Sequence, residues 1–417
     1  MRYLDSVLDE IENCAKCGSC RSVCPVFKEY GLEKKTARGK IAVCQAIADG
    51  ALPFGENLHK ILDDCLLCLT CVENCSRDVQ TQKIIKAARA ELYRVQAVKN
   101  RKTEFFSEKL PAGIPETSGL KYFFRQEADE IGRPGLSITD APFIDGKDEV
   151  LEAENAVETI CFFTGCFINH VYPDIGEAVV NVLNAVGVTV LIPKSQTCCG
   201  SPMAAAGDVE GAISLARENI ESLSGNYPVI TACASGGRML KQDYPELLKD
   251  DDPWREKADA LAVRTFDISE YLVEKIGANV IASKMKNKFT QTVTYHDPCQ
   301  LNRGQKIKEA PRALLHATCG DNFMESPHPD GCCGAGTIYG ITHPVTAEKI
   351  RSHKIEDIIR SGAQTVATGC PSCIKQLSDG LRQNESDIQI FHTIQIAAQA
   401  MGLPETPIDR MQNGKQG

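Results

Sequence analysis

Two cysteine runs of identical spacing constrain this chain more than any other feature. The first is Cys14, Cys17, Cys20 and Cys24, followed by Pro25; the second is Cys65, Cys68, Cys71 and Cys75. Both read C-x2-C-x2-C-x3-C. Two intervening residues let the backbone curl so that three thiols converge on one point, while the fourth is carried past it. That spacing holds a cubane iron–sulfur cluster, and paired runs exchange their last ligands. One predicted ligand set is therefore Cys14, Cys17, Cys20 and Cys75, and the other is Cys65, Cys68, Cys71 and Cys24. Disulfides suit secreted chains, and three thiols at this pitch pair poorly. Zinc sites use two C-x2-C pairs rather than two runs of four.

The rest of the composition narrows the class. The chain has 417 residues, enough for two or three domains, and 20 cysteines. No basic stretch followed by an apolar one opens it, so no signal peptide is expected. No apolar run approaches the ~18–20 residues of a membrane-spanning helix. The cysteines are accordingly expected in a reducing cytoplasm, as metal ligands. A net charge of −9 without a long basic block argues against nucleic acid.

Along the chain, Tyr3, Leu4, Val7, Leu8 and Ile11 have helical spacing. The 40 residues from Pro25 to Asp64 separate the two runs and read as helices over Thr36–Asp49 and Glu56–Asp63. Cys44 falls inside the first of these and is expected in the core. A long helix is predicted over Val79–Ala97. Residues 101–157 lose periodicity, carry Pro111, Pro115, Pro134 and Pro142, and read as a linker or wrapping segment with aromatic pairs Phe105-Phe106 and Phe123-Phe124. From Glu158 strands and helices alternate: strands over Thr159–Phe163, Val188–Ile192 and Val229–Thr231, helices over Pro173–Val186, Ala205–Leu223 and Arg238–Leu248. This texture predicts an α/β unit with a largely parallel sheet. The tail 404–417 is polar and expected to be mobile.

The α/β texture repeats. Cys166 returns as Cys299, Cys198-Cys199-Gly200 as Cys332-Cys333-Gly334, and Cys233 as Cys370, at offsets of 133, 134 and 137 residues. Near-constant offsets mean a duplication. Adjacent cysteines demand a backbone turn, and the glycine after them permits a positive φ or a close approach to a ligand. Each landmark follows a predicted strand, where open α/β sheets place their ligands. The second copy offers five thiols, Cys299, Cys332, Cys333, Cys370 and Cys373, and is expected to bind an iron–sulfur cluster. The first keeps Cys166, Cys198, Cys199 and Cys233 but has Gly236 where Cys373 stands. Its site is expected to be empty, zinc-bound or weakly loaded. Cys161, inside a strand, is expected in the core.

These motifs resemble the cysteine-rich CCG-domain iron–sulfur oxidoreductases. The resemblance covers nearly the whole chain apart from the linker and tail. Ala87-Ala88-Arg89-Ala90-Glu91-Leu92 and His296-Asp297-Pro298-Cys299 look most like the iron–sulfur subunits of glycolate oxidase and FAD-linked lactate dehydrogenase. The catalytic subunit of heterodisulfide reductase and the iron–sulfur subunit of anaerobic glycerol-3-phosphate dehydrogenase are similar. Ser76 departs from the proline that commonly follows the fourth cysteine. The implied fold is α+β and multidomain: an all-α double-cluster ferredoxin domain (1–100), then a degenerate CCG domain (158–280) and a complete one (281–403). The implied cofactors are two [4Fe-4S] clusters and a further cluster, non-cubane by the family pattern, on the second copy. No G-x-G-x-x-G opens a helix, so neither FAD nor NAD is expected on this chain. The implied function is an electron-transfer subunit of a 2-hydroxy-acid dehydrogenase. It would relay electrons between an FAD-binding partner and a quinone or other carrier, at the inner face of the cell membrane through its partners. The rival is a disulfide reductase working at the second copy's cluster.

Overall fold

A computed structural model describes residues 3–98 and 138–404. The aromatic pairs Phe105-Phe106 and Phe123-Phe124, most of the expected linker, and the tail from residue 405 lie outside the described residues. The chain falls into two compact units that are each discontinuous in sequence.

The first unit joins the amino-terminal segment to Gly200–Ala212 and Cys332–Ser352. It is helical. Tyr3–Ile11 forms a 3-10 turn over Asp5–Val7 and a short helix, Leu8–Glu12. The helix Ala37–Ala48 starts where Thr36 accepts from the Gly39 N–H at 3.0 Å, the expected capping geometry. A Cβ on Gly39 would lie 2.1 Å from the Glu33 carbonyl oxygen, so only glycine fits there. Ala37, Ile41, Cys44 and Ile47 line its buried face at helical spacing. Burial pushes the Cys44 thiol up to about 12, which suits a core residue. The helices Glu56–Leu62 and Thr81–Val98 follow, the latter burying Ile84, Ile85, Ala88 and Leu92.

The second unit holds both sheets. The first sheet has the order β1-β3-β2-β4-β5, from β1 (Val150–Leu151), β2 (Glu158–Phe163), β3 (Val188–Leu191), β4 (Val229–Thr231) and β5 (Thr265–Asp267). Only the edge strand β1 runs antiparallel to its neighbour. The second sheet has the order β6-β7-β8, all parallel, from β6 (Val293–His296), β7 (Thr365–Thr368) and β8 (Gln389–His392). By register β2, β4 and β5 correspond to β6, β7 and β8. The counterpart of β3 shrinks to a single parallel bridge, Val293 to Phe323.

Two expected helices differ from the structure. The stretch Ala205–Leu223 is broken into Ser201–Ala206 and Val209–Ser222 by Gly207, whose φ is +91°. A Cβ there would lie 2.4 Å from the Arg89 carbonyl oxygen. Arg238–Leu248 is likewise not one regular helix: Ala234–Arg238 passes through a π-turn, Met239–Asp243, into Tyr244–Leu247. Described residues of the expected linker add β1 to the sheet edge and bury Phe143 against Gly176.

Candidate metal centres

In the first unit the two cysteine runs fold alike. Lys16 and Gly18 in the first run, and Leu67 and Leu69 in the second, all have positive φ, between 54° and 94°. Left-handed residues at alternate positions give the tight curl that turns three thiols inward. The Ser19 hydroxyl lies 3.4 Å from Cys17 Sγ, and the Thr70 hydroxyl 3.3 Å from Cys68 Sγ. Ser19 and Thr70 are functional candidates that spacing alone does not single out.

Each run faces a cavity. One is lined by Cys65, Cys68 and Cys71 of the second run and by Cys24 of the first. The other is lined by Cys14, Cys17 and Cys20 and by Cys75, with Cys71 also on its wall. Four thiols per cavity, a soft donor set, fit a cubane. Burial pushes Cys24 up to about 11 and Cys71 well above the usual thiol range; on Cys17, the most exposed, the Ser19 hydroxyl pulls the thiol down. Lys40 is buried, and the Cys65 and Cys24 sulfurs act against the desolvation that lowers its pKa. A cation so placed offsets the negative charge of clustered thiolates.

The turn Leu62–Cys65, which leads into the second cavity, is fixed from two sides. The buried Arg89 guanidinium donates to the carbonyls of Leu62 (3.2 Å), Asp63 (2.9 Å) and Cys65 (2.8 Å), and to Ala205 (2.8 Å). The Tyr339 hydroxyl donates to Asp64 Oδ1 at 2.6 Å, and Lys35 pairs with the other oxygen. A Cβ on Gly336 would lie 3.2 Å from Leu66 Cα, so that glycine permits close backbone packing beside Cys65. Both inserted segments thus begin at a Cys-Cys-Gly turn and pack into the ferredoxin-like unit. Gly200 and Gly334 have φ of +82° and +84°, and the Gly334 N–H points at Cys332 Sγ at 3.4 Å.

In the second unit the first copy brings Cys198 and Cys166 together, with their sulfurs 3.6 Å apart. That thiol–thiol hydrogen bond, then burial, holds Cys166 well above the usual range. Asn219 donates to the Cys198 carbonyl at 3.0 Å, and Tyr244 to that of Cys199 at 3.1 Å. These two buried residues, missed by motif reading, hold the turn rigid.

Cys233 interacts with both groups: its charge helps to raise Cys166 of its own copy, and its thiol hydrogen-bonds to Cys370. The hydrogen bonds from Cys233 and Cys373 hold the Cys370 thiol well below the usual range, while Cys233 is pushed up. Both residues cap helices in the same way, Cys233 before Ala234–Arg238 and Cys370 before Pro371–Gln383. Free N–H groups at the start of the longer helix favour a thiolate at Cys370. Cys299 opens the helix Cys299–Gln305, where Gln305 donates to the Ala234 carbonyl at 2.9 Å and Arg238 to Gln300 at 2.8 Å. These bonds join the two copies through the helices Ala234–Arg238 and Cys299–Gln305. Cys161 and Cys319 sit in the core, with burial pushing Cys161 up to about 12.

Comparison with known proteins agrees with this geometry. The cysteine-rich domain family matches residues 160–241 and 293–378, and the 4Fe-4S dicluster domain family matches residues 10–79. The chain is 27% identical to the probable glycolate oxidase iron-sulfur subunit of Bacillus subtilis, over 94% of each chain. It is 30% identical to a subunit of the CoM/CoB fumarate reductase of Methanothermobacter marburgensis, over 93% of this chain and 72% of that one. It is 29% identical to lactate utilization protein A 2 of Bacillus cereus, over 58% of this chain and 98% of that one. No helix among the described residues is long and apolar enough to cross a membrane.

Proposed function

The chain belongs to the iron–sulfur protein family that joins a 4Fe-4S dicluster domain to two cysteine-rich domains, and we propose that it is the electron-transfer subunit of a 2-hydroxy-acid dehydrogenase of glycolate or lactate type. Iron–sulfur clusters, when bound, supply one-electron transfer. In this reading Cys14, Cys17, Cys20 and Cys75 hold one cubane, and Cys65, Cys68, Cys71 and Cys24 the other. Cys299, Cys332, Cys333, Cys370 and Cys373 hold a further cluster, and Cys166, Cys198, Cys199 and Cys233 form a site that is empty, zinc-bound or weakly loaded. The residues around the thiols insulate and fix them: Arg89 and Tyr339 clamp the Leu62–Cys65 turn, and Lys40 supplies buried positive charge.

The observation that carries the reading is the makeup of the first unit. The segment that begins with Cys332 and Cys333 packs, through Tyr339 and Gly336, against the turn that carries Cys65. Cys332 and Cys333 thus open a segment that packs beside Cys65, which supports a relay through that turn. A partner FAD subunit would take the hydride from the hydroxy acid, and a quinone or other carrier would close the circuit. The 30% identity to a CoM/CoB fumarate reductase component supports a second reading, a subunit acting on a thiol/disulfide pair.

Native purification with identification of the co-purifying subunit separates the two. The first reading expects a flavoprotein whose substrate bleaches this chain's cluster absorbance only when both are present. Reoxidation of the reduced chain by a disulfide, without any partner, would refute it in favour of the second.

A further inference from the structure

The duplication supplies an internal control for the second copy's site. In the first sheet Phe163 pairs across to Thr231, and Thr231 to Asp267. In the second, His296 pairs to Thr368, and Thr368 to His392. His296 thus holds the place of Phe163, each three residues before the first cysteine of its copy. Cys373 holds the place of Gly236 in the same way.

The two differences meet in space. A Cβ on Gly236 would lie 3.6 Å from Phe163 Cε1. In the second copy a His296 ring nitrogen and Cys373 Sγ come within 4.8 Å of each other. One copy has a phenyl ring over a glycine where the other has an imidazole facing a thiol. A donor pair has been exchanged for an apolar pair as a unit.

Packing alone does not explain His296. It is 2% exposed, and among the described residues neither ring nitrogen has a hydrogen-bond partner. Leaving buried polar groups unsatisfied costs about 1–3 kcal/mol each. Phe163, 1% exposed, shows that a phenyl ring fills the equivalent place without that cost. Among the described residues nothing pairs with the imidazole, and Cys373 stands beside it. Imidazole nitrogen is a good donor to iron and zinc.

We propose that His296 is a nitrogen ligand of the metal centre in the second cysteine-rich copy, beside Cys373. This rests on the reading of the second copy as a metal centre. A neutral imidazole in place of a thiolate lowers the negative charge on an iron–sulfur centre and raises its reduction potential, as in Rieske centres. The second copy's centre would then lie at a higher potential than the all-thiolate cubanes and would draw electrons from them.

The test uses the full chain, labelled with 15N-histidine, loaded anaerobically and reduced. Pulsed paramagnetic resonance is recorded on the signal that Cys373→Ser removes. The expected result is a strong histidine nitrogen coupling on that signal. His296→Gln abolishes the coupling; His296→Cys abolishes it while keeping the iron and moves the midpoint potential lower. Because His296→Cys restores a soft donor, it guards against simple failure of His296→Gln to load. Iron in the second copy without nitrogen coupling, or a coupling that persists in His296→Cys, overturns the assignment and leaves the metal-centre reading standing. Wild-type protein with no metal beyond the two cubanes overturns both.

Discussion

The Tyr339 hydroxyl donates to Asp64 at 2.6 Å, one residue before Cys65, although 275 residues separate the pair in sequence. Both side chains are buried. Removing the hydroxyl leaves a carboxylate oxygen short of a partner, which costs about 1–3 kcal/mol. It also leaves more negative charge beside the second thiol cavity. Tyr339→Phe is expected to lower stability by that amount in denaturant titration. The same variant should lower the midpoint potential of the cluster held by Cys65, Cys68 and Cys71, with the other cubane's potential unmoved.

The thiol cavities mix the two runs, so ligand loss should cross the sequence. Cys24→Ser is expected to disturb the cluster held by Cys65, Cys68 and Cys71, and Cys75→Ser the cluster held by Cys14, Cys17 and Cys20. Iron analysis with paramagnetic resonance of each variant checks this. Loss of the signal belonging to the variant's own run would show that ligation is not crossed.

The two cysteine-rich copies should respond differently to the same change. Cys333→Ala is expected to abolish electron transfer to the terminal carrier while both cubane signals survive. Cys199→Ala should chiefly lower stability, because its turn is held by Asn219 and Tyr244 and its copy lacks a fifth thiol. Turnover and metal content are compared in both variants. Equal loss of both quantities in the two would mean that the copies are equivalent.

Asp267 gives a pH dependence remote from the thiols. Its side chain caps the helix Ile268–Glu270, accepting from the Ser269 N–H at 2.8 Å, while its other oxygen is buried with no partner among the described residues. Burial pushes the carboxyl up to about 7, with Glu270 adding to the rise and Lys241 opposing it. A raised acid binds its proton more tightly when folded than when unfolded, where its pKa is about 4. This residue's contribution is therefore most favourable below pH ~4, declines as pH rises towards 7, and is flat above. Asp267→Asn keeps the cap oxygen and removes the charge. The variant should gain stability relative to wild type on going from pH 5 to pH 8, by a few kcal/mol at most. Thermal melts at the two pH values measure the difference, and a constant gap between the proteins would refute it.

Thiol positions were legible because ligand spacing is written in the covalent chain. Positive φ at the glycine after each cysteine pair followed from the turn that two adjacent cysteines impose. The clamps were not legible. Arg89 acts on backbone carbonyls, which carry no sequence signature, and Ser19 and Thr70 read as ordinary polar residues. The substitution of Phe163 and Gly236 for His296 and Cys373 becomes a pair only when sheet register aligns the copies. The short strands β5 and β8, of three and four residues, lack the length for a periodic signal. Sequence offset assigns Cys233 to its own copy, where it acts on Cys166, but gives no sign that its thiol also bonds to Cys370, a contact set by how the two copies meet.

The first unit needs residues from 3 to 352, and this sets an order of events during synthesis. All eight thiols of the two runs leave the ribosome by residue 75, whereas Cys332–Ser352 emerges more than 250 residues later. At about 5–20 residues per second, that delay is on the order of ten seconds or more. Through that interval the Leu62–Cys65 turn lacks Tyr339, and until residue 205 it lacks the second anchor of Arg89. The lining of both thiol cavities, residues 14–82, emerges together with the ligands, so what comes late is the clamping of that turn. A fragment cut near residue 98 would carry every ligand of the two cubanes and the residues that line their cavities, but would lack the late anchors of the Leu62–Cys65 turn, the Ala205 carbonyl and the Tyr339 hydroxyl.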